Sequence, residues 1–149
     1  MPRPVIVFIG GGTGACLRGL LLEWLSPLAA VAPVPVLLAN LLGSFLLGVV
    51  YVLADEAGLL SVEARLFLAV GVLGGFTTFS TLDWGADLLL ARGAVAPALL
   101  YLLASLLGGV VAVIAGLAAT RALVGFRRRA PAGVRADVAS IEAEVREEP

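Results

Sequence analysis

Polar side chains lie inside otherwise apolar stretches of this chain at two places, and both could carry ion chemistry. Asn40 lies in the uncharged stretch 34–54, and its side-chain amide offers two N–H donors that must be hydrogen-bonded in an apolar environment. The second place is the segment 71–81, which holds three glycines, three threonines and one serine. Amide and hydroxyl donors suit an anion that only accepts hydrogen bonds, whereas freed backbone carbonyls suit a hard monovalent cation.

The segment 71–81 is a poor helix former. Glycine costs backbone entropy in a helix, and β-branched threonine loses side-chain freedom there. A helix broken here would free N–H and C=O groups at membrane depth, where only protein, water or an ion can satisfy them. The ring edges of Phe76 and Phe79 carry partial positive charge and can face an anion. Two plainer interpretations stay open: Asn40 as a tie between helices, and a kinked packing helix with back-bonded hydroxyls.

Arg18 is the third feature, since it lies within or near the end of the first apolar stretch. An ionisable group inside a membrane is costly and usually marks a pathway or a partner. Arg18 therefore suggests an electropositive vestibule that attracts anions. The alternative is an arginine close to the interface, whose long side chain reaches water.

The composition indicates that membrane-spanning helices position these residues. The chain has 149 residues, of which 60% are hydrophobic and 14% charged, and its mean hydropathy is +1.06. An ordinary soluble domain is about 45–50% apolar and about 25% charged. Four stretches are long and apolar enough to cross a bilayer, at about residues 4–25, 34–54, 64–90 and 93–122. We expect an all-α membrane protein with four transmembrane helices, the third broken in mid-membrane.

Several classes of function are excluded. The chain has no histidine, which rules out Ser-His and Cys-His catalysis and imidazole metal sites, and the single Cys16 cannot form an internal disulfide. A net charge of −1 gives no general attraction to nucleic acid. Residues 4–15 read as a strand followed by G-x-G-x-x-A, but the acidic residue of a dinucleotide site is missing from the stretch 27–35. The sequence thus predicts neither an enzyme nor a nucleic-acid partner.

Small residues recur at every fourth position in three of the spans, which allows close helix approach. They are Gly10 and Gly14, then Ala39, Gly43, Ser44 and Gly48, then Ala104, Gly108, Ala112 and Gly116. Because four helices enclose little interior, we expect an oligomer. The membrane domain should occupy residues 1–125. Residues 126–149 form an arginine-rich polar tail outside the membrane, with apolar residues spaced as on one helical face.

Three motifs together resemble the Fluc (CrcB) family of fluoride channels. In chain order they are Gly11-Gly12-x-Gly14-Ala15-x-x-Arg18, Asn40-x-x-Gly43-Ser44-Phe45-x-x-Gly48 and Gly71-x-x-Gly74-Gly75-x-Thr77-Thr78-Phe79-Ser80-Thr81. The likeness covers about residues 5–120, and the third motif is highly specific. It implies a channel that passively exports cytoplasmic fluoride, built as a dimer of two antiparallel four-helix subunits with two pores.

The resemblance also implies roles for individual residues. Asn40 matches the pore-lining asparagine, Phe79 the first phenylalanine of the pore, and Ser105 a hydroxyl on the polar track of the fourth helix. Gly74 and Thr77 match the residues whose backbone carbonyls hold a structural Na⁺ that is not transported. The remaining pore candidates are Phe76, Thr78, Ser80 and Thr81, and Arg18 is the vestibule candidate.

Four positions depart from the family pattern. The family often has a second pore phenylalanine where this chain has Leu82, a hydroxyl where it has Val36, another hydroxyl where it has Gly109, and a tyrosine where it has Gly19. The resemblance therefore implies a lining with fewer donors, to which a partner subunit could contribute.

Two other classes of membrane protein fit the sequence less well. A small proton-coupled exporter needs a carboxylate at mid-membrane, but Glu23, Asp83 and Asp87 lie towards the ends of predicted spans. The other is a structural membrane protein without transport. A passive channel needs neither a nucleotide site nor a buried acid, so it fits the sequence best.

The arginine distribution predicts an orientation in the bacterial plasma membrane. Of the ten basic residues, eight fall on the side of the termini and the second loop, and on the opposite side only Arg92 lies outside a span. The positive-inside rule then places both termini in the cytoplasm. Because the family architecture needs one subunit of each orientation, we expect a related, oppositely oriented partner. A dual-topology homodimer is the alternative.

Overall fold

The computed structural model describes residues 1–30 and 33–125, and the predicted tail 126–149 lies outside the described residues. Four helical segments are long and apolar enough to cross a membrane: Arg3–Trp24, Val34–Glu56, Val62–Ala91 and Val95–Val124. The described residues contain no strand. The predicted all-α membrane fold with four spans is therefore confirmed.

The third span consists of two helices. We label the helices α1 (Arg3–Trp24), α2 (Val34–Glu56), α3 (residues 62–76), α4 (Ser80–Ala91) and α5 (Val95–Val124). Most of α3, over Leu66–Leu73, is π-helical, a wide winding that is common at functional sites. At Thr77 the backbone turns extended, with φ −81° and ψ 157°. Residues 77–79 thus interrupt the span, and we call them the interruption.

Proline and glycine mark the helix ends. Pro4 and Pro35 lie in the first turns of α1 and α2, where a missing N–H costs no helical hydrogen bond. Gly93, between α4 and α5, and Gly125, after α5, have φ values of 73° and 62°. Glycine adopts this left-handed conformation without the penalty that other residues meet.

Glycines bring α1 and α3 into backbone contact. A Cβ atom built on Gly10 would lie 2.9 Å from the Cα of Gly71, and one built on Gly14 would overlap the carbonyl of Val72. No larger residue fits there without moving a helix. Helix α1 therefore holds the part of α3 that leads into the interruption.

The small-residue stripes of α2 and α5 also act within the chain. A Cβ atom on Gly116 would overlap the carbonyl of Phe45, and one on Gly108 would lie 2.9 Å from the side chain of Leu41. The close helix approaches predicted from the sequence are thus found between helices of one chain. The expectation of an oligomer does not rest on these stripes.

The buried apolar core lies between α2, α4 and α5. It consists of Val36, Leu82, Ala86, Leu89, Ala98 and Tyr101. On α5, large apolar side chains such as Leu100 and Leu107 are exposed, as expected for a face turned to lipid. At the second-loop end, Arg65 pairs with Asp55 at 3.0 Å and Arg121 pairs with Glu56.

Candidate functional site

Asn40 of α2 is bound to the interruption through both ends of its amide. Its Nδ2 donates to the carbonyl of Thr78 at 3.0 Å, and its Oδ1 accepts from the Thr78 N–H at 2.8 Å. In a continuous helix the Thr78 N–H would donate to the carbonyl of Gly74 instead. A hydrogen-bonded link between helices, one of the interpretations that the sequence left open for Asn40, is therefore present. One N–H of Asn40 is used in it, and the second N–H is left for another acceptor.

Arg18 of α1 contacts the interruption from the other side. Its Nη1 donates to the carbonyl of Thr77 at 3.1 Å, and the residue is half-buried. From the sequence, Arg18 is expected in a vestibule, as an attractor of anions. The structure gives its guanidinium a direct partner in the backbone, 59 residues away along the chain.

The hydroxyl groups of the third motif form a cluster around Thr78. The Thr78 Oγ1 lies 3.2 Å from the Ser80 Oγ and 3.1 Å from the Thr81 Oγ1, and it accepts from the Thr81 N–H at 3.2 Å. The Thr77 hydroxyl instead donates back to the Leu73 carbonyl at 3.0 Å. The Thr78 hydroxyl therefore accepts from an N–H of the first turn of α4, one residue before the N-cap position, which is Phe79.

A cavity of about 330 Å³ opens beside the interruption, bounded by α2, α3, α4 and α5. We call it the inner cavity. Its polar wall consists of Asn40, Ser44, Thr77, Thr78 and Ser105, and its apolar wall includes Leu47, Leu73, Phe79, Leu82 and Leu106. The described part of its wall carries no charged residue. Such a wall can replace water around an ion only through amides, hydroxyls and ring edges.

Ser105 of α5 is buried, and its Oγ has no hydrogen-bond partner among the described residues. A buried hydroxyl without a partner is costly. Because Ser105 lines the inner cavity, a water or an ion held there would supply the missing partner.

Tyr101 is a second buried hydroxyl that the sequence analysis missed. It is 7% exposed, and its Oη also has no partner among the described residues. Tyr101 lies one helical turn before Ser105, so the two side chains follow the same face of α5. That spacing was the available signal, but a tyrosine in an apolar stretch reads as an ordinary core residue.

The two phenylalanines of the motif lie in different surroundings. Phe79 lines the inner cavity and is 68% exposed in the single chain. Phe76 is buried beside Gly43 and is not part of the described cavity wall. Of the other candidates, Ser80 is exposed, and Thr81 lines a second cavity, with its hydroxyl 3.1 Å from that of Thr78.

The carbonyls of Gly74 and Thr77 lie at the edge of the interruption. The Gly74 carbonyl has lost the N–H donor that a continuous helix would give it, because the Thr78 N–H donates to Asn40. The space beside Gly74 is open, since no atom lies within 4 Å of a Cβ built on it. The Thr77 carbonyl accepts from Arg18 and keeps its second lone pair. Both are hard oxygen donors of the kind that alkali cations prefer.

Comparison with known proteins places this architecture in a family. A family profile described as "CrcB-like protein, Camphor Resistance (CrcB)" matches residues 5–117. A Thermus thermophilus protein named "Fluoride-specific ion channel FluC" is 48% identical over 124 residues, which cover 83% of this chain and 97% of the relative. Proteins of the same name from Chlorobium chlorochromatii and Agrobacterium fabrum are 41% and 44% identical, over 81% and 79% of this chain and 94% and 95% of their own lengths. Since these matches take in the interruption and nearly all of the four spans, this chain belongs to the CrcB family.

Proposed function

We propose that this protein is a fluoride-selective channel through which cytoplasmic fluoride leaves the cell passively. The observation that carries the proposal is the inner cavity, where amide and hydroxyl groups line a recess between membrane-spanning helices. The relatives named fluoride-specific ion channels support the choice of ion.

Fluoride is small, strongly hydrated and able only to accept hydrogen bonds, so a pore must replace its water with donors. Asn40 has one N–H left after binding Thr78. The hydroxyls of Ser105 and Tyr101 have no acceptor among the described residues. These three donors lie along α2 and α5, between apolar side chains that would hinder larger chloride.

The direction of transport follows from acid chemistry and membrane potential. Hydrogen fluoride crosses the membrane as a neutral acid and dissociates in a less acidic cytoplasm. An inside-negative potential then drives the trapped anion out. A proton-coupled exporter is not favoured, since Glu23, Asp83 and Asp87 are exposed and none belongs to the described wall of the inner cavity.

A second subunit would complete the path. Phe79 lines the inner cavity yet remains mostly exposed, so the recess is open on one side of the single chain. We propose that an oppositely oriented subunit covers it, as the family resemblance implies. The arginine count favours a related partner chain over a second copy of this one.

The pairing can be tested with a reporter fused at the C-terminus. Activity on the cytoplasmic side alone, with no fluoride efflux from the purified single chain, is expected for the heterodimer. Equal reporter signals on both sides, or efflux from the purified chain alone, would establish the dual-topology homodimer instead.

A structural Na⁺ is the cofactor that the resemblance implies. The carbonyls of Gly74 and Thr77 fit it in chemical type, and a second subunit would bring the same pair. When bound, the cation would supply positive charge that steadies the exposed carbonyls of the interruption. The Arg18 guanidinium already donates to the Thr77 carbonyl, and its positive charge would repel a cation bound there.

Fluoride efflux from liposomes tests the proposed function directly. The purified protein, alone or with its partner chain, should release trapped fluoride when a potential is applied, and chloride should stay inside. Release of both anions at equal rates would contradict selectivity. Release that requires an opposing proton gradient would point to the exporter.

A further inference from the structure

A second cavity, of about 270 Å³, lies towards the first and third loops. We call it the outer cavity. Residues from both loops and from α4 line it, among them Ser26, Pro33, Arg92, Thr81, Trp84 and Gly85. With four spans, these loops lie on the membrane side opposite to the chain termini.

One layer of core side chains separates the inner and outer cavities. Leu82 lines the inner cavity, Val36 lines the outer one, and both belong to the same buried cluster as Tyr101. The Thr78 hydroxyl, in the inner wall, lies 3.1 Å from the Thr81 hydroxyl, in the outer wall. The barrier between the cavities is therefore a single layer that already contains polar groups.

The unpartnered hydroxyl of Tyr101 lies within this layer. A Cβ atom built on Gly85 would be 3.2 Å from the Tyr101 Oη, and Gly85 lines the outer cavity. Ser105, one turn further along α5, lines the inner cavity. Of the two orphaned hydroxyls of α5, that of Ser105 thus lines the inner cavity, and that of Tyr101 lies in the layer, against a glycine of the outer wall.

The charge of the outer cavity comes from Arg92. It is the charged residue among the described lining residues, and the structure shows no ion pair for it within residues 1–30 and 33–125. Arg18, by contrast, donates to the Thr77 carbonyl at the interruption. An anion that passed the Tyr101 layer would next meet the guanidinium of Arg92.

We propose that the outer cavity is the continuation of the fluoride path and that Arg92 at its wall raises the local concentration of the anion. The proposal rests on the proposed function and extends it to a site on the side opposite to the termini. A focused positive charge in a recess raises the local anion concentration, and salt weakens the effect.

The competing role for Arg92 is that of an interfacial anchor. Trp84 lines the same cavity and is 62% exposed, and tryptophan and arginine are both common at membrane–water interfaces. An anchor would affect folding or insertion. It would leave the fluoride conductance of correctly assembled channels independent of the charge at position 92.

Ionic strength separates the two roles. Arg92→Gln should lower fluoride efflux about threefold at about 10 mM salt and leave it nearly unchanged at about 1 M. Arg3→Gln is the matched control, because Arg3 is an exposed arginine at a helix end that contributes to neither cavity wall. It should leave efflux unchanged at both salt concentrations. Equal efflux of Arg92→Gln and the wild type at low salt would overturn the proposal.

A charge titration at one position gives a second measurement. In a Cys16→Ser background, which removes the single native cysteine, Arg92→Cys is modified with a positive or a negative methanethiosulfonate. The positive reagent should restore low-salt efflux and the negative one should lower it further. The same response to both reagents would overturn the proposal by showing a steric effect. A wild-type channel that moves no fluoride, either alone or assembled with its partner chain, would instead refute the proposed function itself.

Discussion

The side-chain amide of Asn40 takes the place of both backbone hydrogen bonds that a continuous helix would give Thr78. It accepts from the Thr78 N–H at 2.8 Å and donates to the Thr78 carbonyl at 3.0 Å. A residue 38 positions away along the chain thereby makes a non-helical backbone tolerable inside a membrane span. Asn40 supports the interruption and lines the inner cavity at once.

Asn40→Leu should therefore cost stability as well as flux. It leaves the N–H and the carbonyl of Thr78 without partners, at about 1–3 kcal/mol for each buried group. Thermal unfolding in detergent and liposome efflux measure the two effects, and a variant with wild-type stability would show that water replaces the amide.

Asn40→Asp provides the near-isosteric comparison for that variant. Its carboxylate still accepts from the Thr78 N–H but turns an oxygen towards the Thr78 carbonyl. We expect a smaller loss of stability than for Asn40→Leu. We expect an equally severe loss of fluoride flux, because both N–H donors of the Asn40 side chain are gone. Normal flux in this variant would remove Asn40 from the ion path.

Tyr101→Phe should separate conduction from folding. The change removes a buried hydroxyl that has no partner among the described residues, so the unfolding temperature should stay the same or rise. Efflux should fall about fivefold, as expected for one lost donor worth about 1 kcal/mol. Tyr51→Phe is the control, since Tyr51 is 47% exposed and lines neither cavity. Equal efflux in both variants would place Tyr101 outside the path.

Arg18→Gln tests the opposition between the guanidinium and the proposed cation. Glutamine keeps an N–H donor on a shorter side chain and removes the charge. The arginine charge would repel a neighbouring Na⁺. The Na⁺ concentration that gives half-maximal thermal stabilisation should therefore be at least about tenfold lower for the variant than for the wild type. Unfolding curves in Na⁺ and in a large organic cation provide the readout. If Na⁺ changes the unfolding temperature of neither the variant nor the wild type, the result would argue against a structural cation.

Gly14→Ala should destabilise the packing of α1 against α3. The new methyl group would overlap the Val72 carbonyl, and overpacking costs about 1–3 kcal/mol. Gly12→Ala is the matched control on the same helix, where a Cβ meets no atom within 4 Å. It should leave stability equal or raise it by up to about 1 kcal/mol. Similar unfolding temperatures for the two variants would contradict the close approach.

The four spans were predictable from sequence because lipid demands long apolar stretches with internally satisfied backbones. Contacts across the fold were not. Nothing local in the sequence indicates that Arg18 reaches the Thr77 carbonyl or which end of the Asn40 amide faces Thr78. Phe76 and Phe79 look alike in the motif, yet the interruption between them changes the direction of the backbone. Phe76 is therefore buried and Phe79 exposed.

The glycine contacts between α1 and α3 have a mechanical consequence. Two helices whose backbones touch at Gly10 and Gly14 cannot slide or rotate past each other without driving carbonyl oxygens together. They should move as one rigid body, and α1 carries the Arg18 side chain with it. The proposed channel would then have one fixed wall, and sliding of α1 against α3 could not serve as its gate. Its throughput would then follow the fluoride gradient and the voltage, so the cell would be protected without any signal to switch the protein on.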